Sequence, residues 1–115
     1  MKDGKNSNPD FLHFDKKAFM EKISGKEKAY LQMVEVSLAS ITEYLNRIRE
    51  AIRFNKFEEV TDLGHTIKGA AATMCFSRLN ELALSLEKAQ PDQDEMTQLL
   101  NEMVLEFDII KGLIP

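Results

Sequence analysis

Residues 26–54 read KEKAYLQMVEVSLASITEYLNRIREAIRF, and the spacing within this stretch decides the fold. Leu31, Val34, Leu38, Ile41, Leu45, Ile48 and Ile52 recur at alternating steps of three and four. Only a helix brings such a series onto one side, so Lys26–Phe54 is predicted as one long amphipathic helix. A weaker line of Tyr30, Met33, Ser37 and Tyr44 runs beside the stripe and is read as flanking core. Asn55 should end the helix, because asparagine tolerates the left-handed backbone that terminates helices. A stripe this long leaves apolar surface in water unless other helices cover it.

The rest of the chain supplies those helices. Upstream, Asp15 is placed to cap a short helix over Lys16–Ile23, which Gly25 ends. Residues 1–10 are polar, with Gly4, Ser7 and Pro9, and are expected to be flexible. Downstream, Phe57–Met74 is predicted helical, with Glu58 and Glu59 at the positive end of its dipole. Its buried stripe is Val60, Leu63, Ile67, Ala70, Ala71 and Met74. Ser77 is read as the cap of a helix over Arg78–Ala89 that buries Leu79, Leu82, Ala83 and Leu86. A loop over Gln90–Asp94 contains Pro91. The last helix, Glu95–Lys111, buries Met96, Leu99, Leu100, Met103, Phe107 and Ile110. No stretch alternates as a half-buried strand would. The expected fold is all-α: an antiparallel four-helix bundle with a short additional N-terminal helix.

Composition narrows the function. A chain of 115 residues fits one domain. A net charge of −4 and the lack of a Lys/Arg cluster argue against nucleic acid as partner. No run of about 18 apolar residues spans a membrane. The single cysteine, Cys75, allows no internal disulfide or cysteine-based zinc site, and one unpaired thiol suits a reducing cytoplasm. Cys75 and most of the six methionines are read as core. His13 is read as an ordinary polar residue near the first helix.

The chemistry lies in Gly64-His65-Thr66-Ile67-Lys68-Gly69-Ala70-Ala71-Ala72. At 100° per residue the buried stripe of this helix centres opposite His65. Thr61, Asp62, Lys68, Gly69 and Ala72 all fall within about 60° of the histidine on the exposed face. An exposed neutral imidazole keeps a lone pair for nucleophilic attack. Side chains lean toward the helix N-terminus, so Lys68 is expected to reach back over His65 and offset the charge of a transferring phosphoryl group. Asp62, one turn before His65, could orient the imidazole but reads more simply as a solvated acid. Gly69 inside a helix costs about 1 kcal/mol against alanine. With Ala72 it leaves open surface for the approach of a partner.

His65-x-x-Lys68-Gly69, followed by small residues and another amphipathic helix, resembles the motif of the histidine-containing phosphotransfer (HPt) domain family. The likeness extends over about Phe11 to Leu113, so residues 11–115 are expected to form one such domain. It implies a phosphohistidine at His65, formed from a receiver-domain phosphoaspartate and passed to the aspartate of another receiver. It also implies that Lys68 assists the phosphoryl group, that Gly69 keeps the site open, and that Mg²⁺ belongs to the receiver. No cofactor of its own is expected. Response-regulator receiver domains and a hybrid sensor histidine kinase are the implied partners, and a monomer is expected. Thr61, Asp62, Gly69 and Ala72 are the expected contact residues. Two positions depart from the family pattern. Cys75 stands ten residues after the histidine, where glycine is frequent, and would bear the penalty of positive φ. Gly64 stands where alanine is usual and should loosen the helix slightly. The alternative is a helical module that binds receivers without accepting phosphate. A kinase dimerisation domain fits less well, because Thr66 follows the histidine and no proline occurs between His65 and Pro91. No glycine-rich nucleotide site is present, so the chain is expected to be a relay intermediary and not a kinase.

Overall fold

A computed structural model describes residues 10–114. Six helices follow in order: α1 (Asp10–His13), α2 (Lys16–Lys22), α3 (Glu27–Arg53), α4 (Phe57–Met74), α5 (Ser77–Glu87) and α6 (Gln93–Leu113). No strand occurs among the described residues. Helices α3 to α6 form an antiparallel bundle in which α3 packs on α4 and α6, and α5 packs on α4 and α6. The expected all-α bundle is thus the fold. The expected flexible segment lies outside the described residues except for Asp10, which begins α1. No helix among the described residues is long and apolar enough to cross a membrane.

Helix ends follow local chemistry. Asp15 caps α2, its carboxylate accepting from the Ala18 amide at 3.1 Å. Asn55 takes φ 57° after α3, as expected of a helix stop. Cys75 takes φ 63° after α4, so the turn survives without glycine. The penalty of roughly 1–2 kcal/mol is opposed by several contacts. The Phe76 amide donates to the Ala71 carbonyl at 2.9 Å, the Asp15 amide donates to the Cys75 carbonyl at 3.0 Å, and Phe76 is fully buried. The starts of α5 and α6 differ from expectation, α5 ends at Glu87 rather than Ala89, and α6 runs on to Leu113. Ser77 lies inside α5, and its side chain makes no capping bond. Helix α6 begins at Gln93 because Asp92 caps it, accepting from the Glu95 amide. Asp92 and the two polar residues after it carry no apolar periodicity, so a pattern of apolar spacing starts the helix too late.

The core contains most of the expected stripes, with one instructive exception. Leu31 is 59% exposed, and Tyr30 is buried in its place. A stripe with a mean step of 3.5 drifts by about 20° every seven residues on a helix of 3.6 residues per turn. Over the length of α3 that drift carries Leu31 off the seam and Tyr30 onto it. Tyr30 then meets Phe19 of α2 with ring centroids 6.0 Å apart, and Phe14 meets Phe76 edge-on at 5.2 Å. These aromatics close one end of the bundle.

His13 is not an ordinary surface residue. Its Nδ1 lies 2.6 Å from the carboxylate of Glu106 on α6, and Glu106 is 3% exposed. Arg78 approaches the other carboxylate oxygen at 3.6 Å. A buried carboxylate requires such partners, and here they fasten α1 to α5 and α6. The sequence reading missed this group because its members are 93 residues apart along the chain.

Candidate functional site

His65 sits in the middle of the outer face of α4, its side chain 66% exposed. Helices α4 and α5 form a hairpin about the turn at Cys75 and Phe76, and this brings Glu87, the last residue of α5, beside it. The His65 Nδ1 lies 2.9 Å from Glu87 Oε2. Lys68 Nζ lies 2.8 Å from Glu87 Oε1. One carboxylate therefore joins the two residues the motif singles out.

Gly64 makes this possible. It is buried, and a side-chain carbon built on it would lie 3.1 Å from the Glu87 amide nitrogen and 3.3 Å from the Ala83 carbonyl oxygen. Both are backbone atoms, so any larger residue pushes α5 away. The expectation that Gly64 merely loosens the helix is replaced by close packing that seats Glu87. Gly69 differs: a carbon built there meets no atom within 4 Å. Gly64→Ala should therefore lower stability by about 1–2 kcal/mol, the crowding outweighing alanine's helix preference. Gly69→Ala should raise it by about 0.5–1 kcal/mol. Urea unfolding of the two variants measures both signs, and equal shifts would contradict the packing account.

The electrostatics follow from the shared carboxylate. The hydrogen bond from Lys68 holds the Glu87 carboxyl below its ordinary value, with His65 adding to the effect and partial desolvation opposing it. Glu87 is thus ionised at neutral pH and can only accept. The His65 Nδ1 must then be the protonated nitrogen, which in the neutral ring leaves the Nε2 lone pair free. A lowered carboxyl pKa contributes stability above the ordinary carboxylate range. That contribution disappears as acid titrates Glu87 through its lowered value.

The other expected site residues lie on the same face. Gly69 and Ala72 are exposed, Asp62 is exposed and Thr61 is half-buried. The carboxylate against the imidazole is that of Glu87 and not that of Asp62, and the Asp62 backbone carbonyl accepts from the Thr66 hydroxyl. The Lys68 ammonium lies on Glu87, the same carboxylate that His65 contacts. Its backbone carbonyl accepts from the Asn80 side chain at 3.0 Å, a second tie between α4 and α5. Glu87 escaped the sequence reading because no short motif contains it. The hairpin offered one signal: residues 65 and 87 are equidistant from residue 76 at the turn.

Comparison with known families bears on this arrangement. A family model described as Hpt domain matches residues 32–108, from within α3 to within α6. Comparisons with curated proteins and with solved structures return no match.

Proposed function

The chain belongs to the Hpt domain family, and from that premise we propose that it relays phosphoryl groups between receiver domains through His65. Hpt domains take part in histidine phosphotransfer in two-component phosphorelays and are intermediaries rather than kinases. The observation that carries the reading is the exposed His65 with its Nδ1 bound by an ionised carboxylate.

The chemistry proceeds as follows. The Nε2 lone pair attacks the phosphorus of a receiver's aspartyl phosphate. A P–N bond forms, the acyl P–O bond breaks, and the receiver's aspartate leaves as a carboxylate. The ring keeps its proton on Nδ1 and becomes cationic, and Glu87 offsets that charge. Lys68, whose ammonium shares the Glu87 carboxylate with His65, supplies positive charge for the incoming phosphoryl oxygens. Mg²⁺ comes with the receiver. The reverse sequence on a second receiver completes the relay. Thr61, Asp62, Gly69 and Ala72 surround the imidazole and form the contact face. We take the domain to act in the cytoplasm as a monomer, fed by a hybrid sensor histidine kinase.

The test is phosphoryl uptake. Incubation with phosphorylated receiver domains should label the protein with acid-labile, base-stable phosphate. Glu87→Gln should still be labelled, at a rate lower by about 10- to 100-fold. A neutral amide neither fixes the Nδ1 proton as strongly nor offsets the cationic ring. A variant as fast as wild type would remove Glu87 from the chemistry. A wild-type protein that takes no label from any receiver would overturn the relay itself.

A further inference from the structure

The outer face of α4 does not end at His65. Toward the end of that helix it opens into a depression of about 430 Å³ between α2, α4 and α5. Its apolar lining is small-sized, with the buried Ala71 beneath Ala18, Ala72 and Cys75. The rim is polar and carries Asp15, Asn80 and Glu81. No lysine or arginine lines it.

Three observations define what it can hold. First, the rim offers acceptors. The Asn80 amide nitrogen is committed to the Lys68 carbonyl, which leaves its oxygen available, and the Glu81 carboxylate has no ion pair among the described residues. Second, the depression lies at the carbonyl end of α4, the negative pole of the helix. Lys22, which is not part of the lining, already places its ammonium on the Ala72 and Thr73 carbonyls at 3.1 and 3.4 Å. Third, an apolar floor under an acidic rim matches a side chain with an aliphatic stem and a cationic head.

Position supplies the partner. Ala72 lies seven residues beyond His65, about 10.5 Å along the helix and about 20° around it. A standard protein–protein contact covers about 800 Å² per partner, a disc of about 16 Å radius. A receiver centred on His65 therefore covers the depression. We propose that this depression receives a lysine or arginine side chain of the docking receiver, and so contributes to the choice among receivers. The proposal rests on the phosphotransfer reading for the identity of the partner and not for the chemistry of the depression.

Two measurements test it. In the first, N-acetylarginine methylamide is titrated into the ¹⁵N-labelled protein, with N-acetylnorleucine methylamide as the uncharged control. The arginine probe should shift the amides of Ala18, Ala72, Ser77 and Asn80 saturably, the control should not, and Glu81→Lys should abolish the response. Equal responses to both probes, or an unchanged response in Glu81→Lys, would overturn the proposal. The second uses a receiver that labels the wild type. Glu81→Lys should raise KM about tenfold at low salt, with the loss carried by KM more than by kcat. Glu102→Ala on α6 should change neither. An unchanged KM in Glu81→Lys also overturns the proposal. If no receiver labels the wild type, the relay reading fails, and the arginine titration still decides the depression.

Discussion

His65→Gln should take up no phosphate from any phosphorylated receiver, while its helical circular dichroism and unfolding midpoint stay within error of wild type. The two halves of this result have separate causes. Glutamine has no nucleophilic ring nitrogen, so loss of transfer is complete rather than graded. The side chain at 65 is mostly exposed and lies outside the core, so its replacement should change stability by less than about 0.5 kcal/mol. The Lys68–Glu87 ion pair does not involve position 65 and should persist. Radiolabel transfer followed by acid and base treatment, with circular dichroism on the same samples, checks both. Label retained by the variant would move the acceptor to another residue.

Gly69→Leu should separate stability from function more sharply. Position 69 faces open solvent, one turn beyond His65 and about 40° around the helix. A β-carbon there meets no neighbour and leucine favours helix over glycine, so stability should rise by about 0.5–1 kcal/mol. On the proposed relay, the same side chain stands in the path of the docking receiver. Displacing reacting groups by about 1 Å can cost 100-fold in rate, and a loss of that order is expected in phosphotransfer, together with weaker binding. Thermal unfolding and receiver titration on one preparation measure the pair. A variant that binds and transfers like wild type would leave Gly69 without its open-surface role.

Much of the fold is written in local pattern. The bounds of α4 and the stops at Asn55 and after Met74 follow from spacing and backbone preference. What escaped is non-local. Tyr30 displaces Leu31 only because seam drift accumulates over a long helix. Helix α1 is a single turn with no buried residue of its own, and its anchor, Glu106, lies near the other end of the chain. The site divides the same way. His65, Lys68 and Gly69 share one helix face and can be read from a helical wheel. Glu87 reaches them across a hairpin, and the approach depends on the missing side chain of Gly64. Asp62 is the solvated acid that its place on the exposed face suggests, and the carboxylate that touches both His65 and Lys68 comes from the next helix.

The contact between Gly64 and the backbone of Glu87 has an evolutionary consequence. A side chain at 64 would not touch the imidazole, yet by displacing α5 it would withdraw the carboxylate from Nδ1. Drift at a buried packing position would thereby register as a change in nucleophilicity. If the domain relays phosphoryl groups as proposed, selection on relay speed acts on residue 64 through residue 87, and the two positions should be inherited as a linked pair. A lineage that enlarged the first would have to lengthen its reach at the second, or abandon the carboxylate and orient the histidine from elsewhere.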